Sequence, residues 1–533
     1  MGAALSTQNE SLEELLDIYK SPGSRPAEDV RVRLLETLYF GSVPSSIVNR
    51  FYAQHITKAG SPRIWTESTF TDFLIKAFST QEHIIRPASP VLFRSLLHHG
   101  CYPFKPNKDD IGLTLERLGT GVAFMAAADK FSIVVNEQQP RSTYQHSRNW
   151  EERCRLLFQS LCDTDWARTS SEASRTSGDD YDLIAVLYSS MPQPGESYPF
   201  PSVAATLPSS YSLELNGRVL LHDIAALIRL LLVVAAGHTE SSRADIQSGL
   251  DGAISSLLGP FQTESIGWGL FKTTLETHMP YLLTHLAAFV LSQFPIEGFV
   301  TSDLKSELDI ELWPLPPAIL GEQGSQSRSF LSLAQFCQLG LFLRRKWFLS
   351  TLSILHQGKP QALQPSTIHI LISGTSPRLF LIRGTIEGSS PVILGAYLPS
   401  LSAWEPKELN GWFKQEDPFW LPNTDNDCFF QLSPTHAVYR GVYDKARVDV
   451  GARGTLSFHI GGASLWFEQG LRRGSLCDLG FNFHLRGLQF TKIPKLEVAL
   501  LQLGSLFKSA TYSGQFCEKT REPMELMSLL LFH

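Results

Sequence analysis

The spacing of apolar residues changes about two-thirds of the way along this 533-residue chain, and that change limits the fold more than any other feature. Before it, apolar positions recur every three or four residues: Leu12, Leu15, Leu16 and Tyr19, then Val32, Leu35 and Leu38, then Phe70, Phe73, Leu74 and Ala77. Such spacing lines one face of a helix. Beyond it, Ile368, Ile370 and Ile372 fall at every second position, and short apolar runs follow at Leu379–Ile382, Val392–Tyr397, Cys428–Leu432, Leu456–Ile460 and Leu465–Phe467. Turn residues such as Gly388-Ser389-Ser390-Pro391 and Gly461-Gly462 separate these runs. Short strands punctuated by turns predict a mainly antiparallel sheet or sandwich, so the chain reads as α+β with helices first and strands after.

Local signals divide the helical part. Ser11 and Glu14 stand three apart, the spacing of a capping box. Ser89 is placed to cap a helix that has Pro90 at its first position and Gly100 at its left-handed close. From Asp163 to Asp182 the chain turns polar, with Arg168 to Ser174 and Thr176 to Asp180 lacking any apolar period. The expected division is a tail at 1–10, a helical domain at 11–165, a polar linker at 166–215, a second helical block at 216–329 and a strand-rich domain at 330–533.

Composition narrows the function classes. Hydrophobic residues make up 43% and charged residues 18%, which suits a chain with ample core. A net charge of −6 argues against direct nucleic-acid binding, which needs clustered Lys and Arg. The seven cysteines are Cys101, Cys154, Cys162, Cys337, Cys428, Cys477 and Cys517, and no two have the close spacing of a zinc loop. Their odd number, with no secretory signal at the N-terminus, points to a reducing compartment. The most apolar stretch, Ala225–Ala236, is interrupted by Arg229 and preceded by Asp223, so it reads as a core helix and not as a membrane span.

Few residues suggest chemistry. Gly119-Thr120-Gly121 lacks the third glycine of a phosphate loop. Asn107-Lys108-Asp109-Asp110-Ile111-Gly112 begins like a calcium loop, but Ile111 and Leu118 stand where oxygen ligands belong. His98 and His99, near a predicted helix end, read as surface residues that diverge by about 100° and share no metal. No cofactor, metal site or catalytic residue is expected. The most specific short motif is Met1-Gly2-Ala3-Ala4-Leu5-Ser6, which fits N-myristoylation at Gly2.

The strand region carries a resemblance. Leu379-Phe380-Leu381-Ile382-Arg383, Leu394-Gly395-Ala396-Tyr397 with Trp404 after it, Cys428-Phe429-Phe430-Gln431-Leu432, His459-Ile460-Gly461-Gly462 with Ser464-Leu465-Trp466-Phe467, and Leu496-Glu497-Val498 follow one another in the order of the TLDc domain motifs. The chain resembles the TLDc family over about 130 residues. It departs from the pattern at Lys346–Gly358, where a conserved family segment is missing, and after Val498, where no tryptophan follows. The resemblance implies a two-sheet β-sandwich flanked by helices, preceded by a degenerate EF-hand-like helical region. Gly395, Tyr397, Trp404, Gly461, Gly462 and Glu497 are the motif residues, and a packing role is expected of them: Gly395 where backbones come close, Tyr397 with a half-buried ring, Glu497 as a carboxylate paired with an arginine.

The resemblance also implies a non-enzymatic adaptor that binds subunits of the vacuolar proton-pumping ATPase and favours its disassembly, with an indirect link to telomere capping and oxidative-stress tolerance. A myristoyl group on Gly2 would add a weak, reversible membrane contact, giving a cytoplasmic protein peripheral to the vacuolar membrane. Two alternatives stand beside this: an oxidation-resistance enzyme with an unrecognised thiol site, and a telomere-associated protein.

Overall fold

The computed structural model describes residues 43–53, 64–101, 112–126, 150–162, 217–236, 240–261, 263–295, 331–343, 351–358, 378–385, 391–398, 428–440, 447–450, 456–460, 463–468, 473–478 and 497–504. The helix signals at 11–42, the polar stretch at 163–182 and the alternation at Ile368–Ile372 lie outside the described residues.

The described helices are α1 (Ser45–Ala53), α2 (Glu67–Ala77), α3 (Glu82–Gly100), α4 (Leu115–Met125), α5 (Trp150–Leu161), α6 (Leu221–Ala235), α7 (Glu240–Leu258), α8 (Trp268–His278), α9 (Leu282–Gln293) and α10 (Leu333–Gly340). The strands are β1 (Val219–Leu220), β2 (Ser265–Ile266), β3 (Thr351–Gly358), β4 (Arg378–Thr385), β5 (Pro391–Leu398), β6 (Cys428–Ser433), β7 (Ala437–Arg440), β8 (Arg447–Val450), β9 (Leu456–Ile460), β10 (Ala463–Glu468), β11 (Arg473–Asp478) and β12 (Glu497–Gly504). Helices therefore precede the main sheets in one mixed chain, as the change of period predicts.

Helix α3 is the hub of the helical body, with α2, α4, α5 and α6 packed on it. It is one continuous helix through Pro87 and Pro90, where a start at Ser89 was expected. Ser89 is buried and donates its hydroxyl to the Ile85 carbonyl at 2.9 Å instead of capping. The apolar stripe Ile84, Ile85, Ala88, Val91, Leu92 and Leu96 runs across both prolines and is buried throughout. Burial of that stripe outweighs the lost helical hydrogen bonds, about 3 kcal/mol for an interior proline. Gly100 does not close the helix in the left-handed region either. A Cβ there would lie 2.2 Å from the Arg117 carbonyl oxygen, and one on Gly121 would lie 2.6 Å from that of Leu96. The two glycines let α3 and α4 cross backbone to backbone, which accounts for Gly119-Thr120-Gly121 as a helix contact.

Two pairs of helix starts are tied together by short bridges. Trp65, before α2, and Leu113, before α4, form an antiparallel bridge with both N–H···O bonds at 2.9 Å. In the second pair Val219 bridges Cys162 and also pairs with Ile266. Trp65 is fully buried, stacks on Phe51 at 5.6 Å and donates its indole N–H to the Phe51 carbonyl at 3.1 Å. Helix α6 is the apolar stretch foreseen as core: Leu227, Ile228 and Leu230–Val234 are buried. Its Arg229 reaches outward to Asp251 at 2.7 Å. Its buried Asp223 pairs with Arg94 of α3, joining the two helical blocks. Among the described residues, no helix is long and apolar enough to cross a membrane.

Six strands form one antiparallel sheet in the order β3-β12-β4-β5-β6-β7, and four more form β11-β10-β9-β8. The two segments that depart from the family pattern are neighbours here. Among the described residues β3 (Thr351–Gly358) pairs only with β12, and β12 also pairs with β4, so it sits inside the sheet. On the helical side, β6 packs against α7 and α10, and β7 against α8.

Candidate functional site

The described residues hold one dense polar constellation, at the seam between helices and the six-stranded sheet. It is built from helix ends. The last turns of α7 and α8 present backbone carbonyls, and the loop after β6 supplies donors to them. His436 N–H donates to the Ser256 carbonyl of α7 at 2.9 Å, and its ring Nε2 donates to the His278 carbonyl, the end of α8, at 2.9 Å. Val438 N–H of β7 returns a bond to His278 Nδ1 at 3.3 Å. From α10, the Gln338 amide nitrogen donates both to the Leu432 carbonyl at 3.2 Å and to His436 Nδ1 at 3.0 Å. Ser256 Oγ also donates to the Leu432 carbonyl. Arg440 of β7 donates to the Phe342 carbonyl at 2.6 Å.

These partners fix the tautomers. A carbonyl can only accept, so His436 carries its proton on Nε2 and accepts at Nδ1. An amide N–H can only donate, so His278 accepts at Nδ1. Burial lowers His436 to about 3, with His278 beside it pressing the same way. Burial lowers His278 to about 4, and the Arg440 charge adds to it. Both rings are neutral at pH 7. They meet edge to face with centroids 5.9 Å apart, and the Phe342 ring lies 5.2 Å from that of His436. Both ring nitrogens of His436 are engaged and the ring is fully buried, so His436 ties two parts of the fold together.

The residues picked out from sequence are elsewhere. Gly395 lies in β5 between Leu381 of β4 and Phe430 of β6. A Cβ on it would stand 2.2 Å from Phe430 Cζ and 2.8 Å from the Phe380 carbonyl oxygen, so a close approach does require glycine. Tyr397 is buried instead of half-buried, because it belongs to the same apolar core as Leu379, Phe430 and Phe342. Glu497 pairs with Arg383 in the backbone register of the β12–β4 ladder. Gly2, Trp404, Gly461 and Gly462 lie outside the described residues. Leu118 is fully buried in the core, at the position where a calcium loop needs its last ligand. His98 and His99 are buried, contrary to the surface reading, because the last turn of α3 is surrounded by packed helices. His99 Nδ1 donates to the Ser95 carbonyl at 2.7 Å. Among the described residues, no group of three His, Cys, Asp or Glu could hold a metal ion.

No protein-family model matches the chain. Curated relatives do. The chain is similar to Restriction of telomere capping protein 5. With that of Emericella nidulans it is 24% identical over 489 residues, covering 81% of this chain and 70% of the relative. With that of Neosartorya fischeri it is 24% identical, covering 74% and 67%, and with that of Ajellomyces capsulatus 22% identical, covering 83% and 72%. The similarity to Restriction of telomere capping protein 5 thus spans helices and sheets alike.

The seam itself escaped the sequence reading. His278 and His436 are 158 residues apart, and no spacing rule connects them. One local signal existed: Ser332 and Gln335 form the capping box that starts α10, with bonds of 3.2 and 2.9 Å, and α10 delivers Gln338.

Proposed function

We propose that this chain is a non-enzymatic adaptor of the TLDc type, acting by binding. The observation that carries the reading is one of coincidence: each motif segment quoted from the sequence falls on a strand, namely β4, β5, β6, the β9–β10 pair and β12, within two antiparallel sheets. A TLDc sandwich is the reading of those sheets. The two bridges between helix starts support the degenerate EF-hand-like reading of the helical region, since paired EF-hands join their loops in this way. The relatives' printed name supports a part in restricting telomere capping. The partner proposed is the vacuolar proton-pumping ATPase, reached from the cytoplasm with help from a myristoyl group on Gly2. A single acyl chain gives only marginal attachment, so the protein contact supplies the remainder.

Against the thiol-enzyme alternative, burial pushes Cys337 up to about 12 and Cys154 well above the usual thiol range, so neither offers a thiolate. The deciding experiment is recovery of the tagged full-length chain from cells with its bound proteins, read by mass spectrometry. Subunits of one proton-pumping ATPase are expected, with Gly2→Ala moving the chain toward the soluble fraction. Recovery of chromatin proteins in their place would sink the adaptor reading in favour of the telomeric one. Deleting 330–533 is a poor substitute, since it strips α10 and β6 from α7 and opens the core.

A further inference from the structure

We propose that the His278–His436 pair is an acid-released latch, which lets the loop 433–436 and edge strand β7 come away from the ends of α7 and α8 while the rest of the fold stays closed. The geometry suits a local release. β7 is four residues long and, among the described residues, pairs with β6 alone at the edge of its sheet. Short edge elements with few neighbours open at lower free energy than central strands. The seam bonds tie it and its loop to the helices, and two of these run through a ring nitrogen that must accept: His278 Nδ1 from Val438 N–H, and His436 Nδ1 from the Gln338 amide.

Protonation turns each acceptor into a donor that faces another donor. At His278 it sets N–H against the Val438 N–H, and it adds a cation near Arg440. At His436 it sets N–H against the Gln338 amide. A flip of Gln338 could present its oxygen to His436 only by withdrawing the amide nitrogen from the Leu432 carbonyl, so a bond is lost either way. His278 is only partly covered, so a proton reaches it before the fully buried His436.

Burial dominates the groups that face the two rings. From β7 comes Arg440, with Tyr439 beside it; from α10 come Gln338 and the neutral Cys337 thiol; from α7 comes Ser256. The backbone hydrogen bonds to His278 and to Gln431 of β6 favour a charged His436 ring, and its burial outweighs them. His285 of α9 is turned to the Gly340 carbonyl at 2.8 Å. Lys272 and Glu276 of α8 bear on Cys154 on the α5 side. No carboxylate among the described residues contributes to holding either imidazole's charge. Release uncovers the fully buried Phe342 ring that His436 covers.

The size of the effect follows from linkage. Released imidazoles titrate near 6.5, while those in the seam sit at about 4 and about 3. Folded values below the released value mean the latch is at full strength above pH 6.5 and weakens as pH falls toward the seam values. Each group multiplies the open population about threefold between pH 7 and 6, so the pair gives about tenfold, and about 500-fold by pH 5.

The test is hydrogen exchange by mass spectrometry on the full chain at pH 7, 6 and 5, corrected for the intrinsic exchange rate at each pH. Protection at 436–440, including the His436 and Val438 amides, is expected to fall about tenfold from pH 7 to 6, with β5 (391–398) and α3 unchanged. Protection at 436–440 that does not vary with pH overturns the latch, and so does an equal fall across β5 and α3, which would be general acid unfolding. The paired variant His278→Asn, His436→Gln keeps an acceptor at the first site and a donor at the second without a titrating ring. Its 436–440 segment is expected to show no pH dependence over this range. If the variant does not fold, the wild-type comparison still decides the matter, and a variant that keeps the tenfold fall refutes the assignment to these rings.

Discussion

Gly395→Ala tests how closely β5 is held. The added Cβ would meet Phe430 Cζ at 2.2 Å, Phe430 Cε2 at 2.5 Å and the Phe380 carbonyl oxygen at 2.8 Å. Only the ring can yield, since the carbonyl belongs to the ladder of β4. Phe430 is itself buried and tilted against Phe342 at 5.1 Å, and Phe342 touches His436, so the ring has little room. Overpacking of this kind costs about 1–3 kcal/mol, and the rigid carbonyl puts this site toward the upper end. Replacing glycine within a strand returns about 0.5–1 kcal/mol of backbone entropy. The net expectation is a loss of about 2 kcal/mol. Phe430→Leu removes the two closest ring atoms, so the double variant Gly395→Ala, Phe430→Leu is expected to lose at least ~1 kcal/mol less than the two single losses added together. Urea unfolding followed by circular dichroism gives the three values, with hydrogen exchange over 391–398 as the local check. Strict additivity, or a single-variant change within ~0.5 kcal/mol, would refute the steric account.

Alanine at Gly100 or Gly121 places a methyl group against the opposing helix backbone, and each is expected to lower stability by ~2–3 kcal/mol in thermal or urea unfolding, against near-neutral Gly252→Ala, which has open space. Asp223→Ala leaves Arg94 partly covered and unpaired; because about a third of Arg94 reaches solvent, the expected loss is ~1–2 kcal/mol, below that of a fully buried pair, and Arg94→Met with Asp223→Leu should recover most of it. Cys154 and Cys337 are expected to resist iodoacetamide in the native protein at pH 8 and to react once it is denatured, which mass spectrometry of digested samples reads directly.

Periodicity carried the fold a long way. Strands at Leu379–Ile382, Val392–Tyr397, Cys428–Leu432, Leu456–Ile460 and Leu465–Phe467 are all present, because their apolar runs are bounded by turn residues on both sides. Phe70, Phe73 and Leu74 line the buried face of α2, but Ala77 does not; Phe78, one residue on, takes the core position. Helix α3 was cut short at Ser89 because local propensity weighs two prolines heavily, while the packing that overrides them comes from four other helices. The same surroundings turn His98 and His99 inward. The strand pattern does not reveal β1, β2, β3, β7, β8 or β11: Arg447–Val450 and Arg473–Asp478 include charged residues, and short strands are specified by their partners more than by their own residues. The seam histidines were invisible for a related reason, since what makes them a unit is the meeting of two helix ends with one loop.

The inside position of β12 has a consequence for the order in which the molecule is made. Among the described residues β3 has no partner other than β12, and Val498 pairs with Gly358 across about 140 residues of chain. At roughly 5–20 residues per second of synthesis, β3 emerges on the order of ten seconds before anything can zip against it. Throughout that interval β4 also shows a bare edge, since its second neighbour is the same late strand. The sheet thus cannot nucleate outward from its first strand. It must grow from the β4–β5–β6 hairpins and wait for one strand to be slotted between two that already exist, a step in which a passing chaperone or a second nascent chain competes for the same gap.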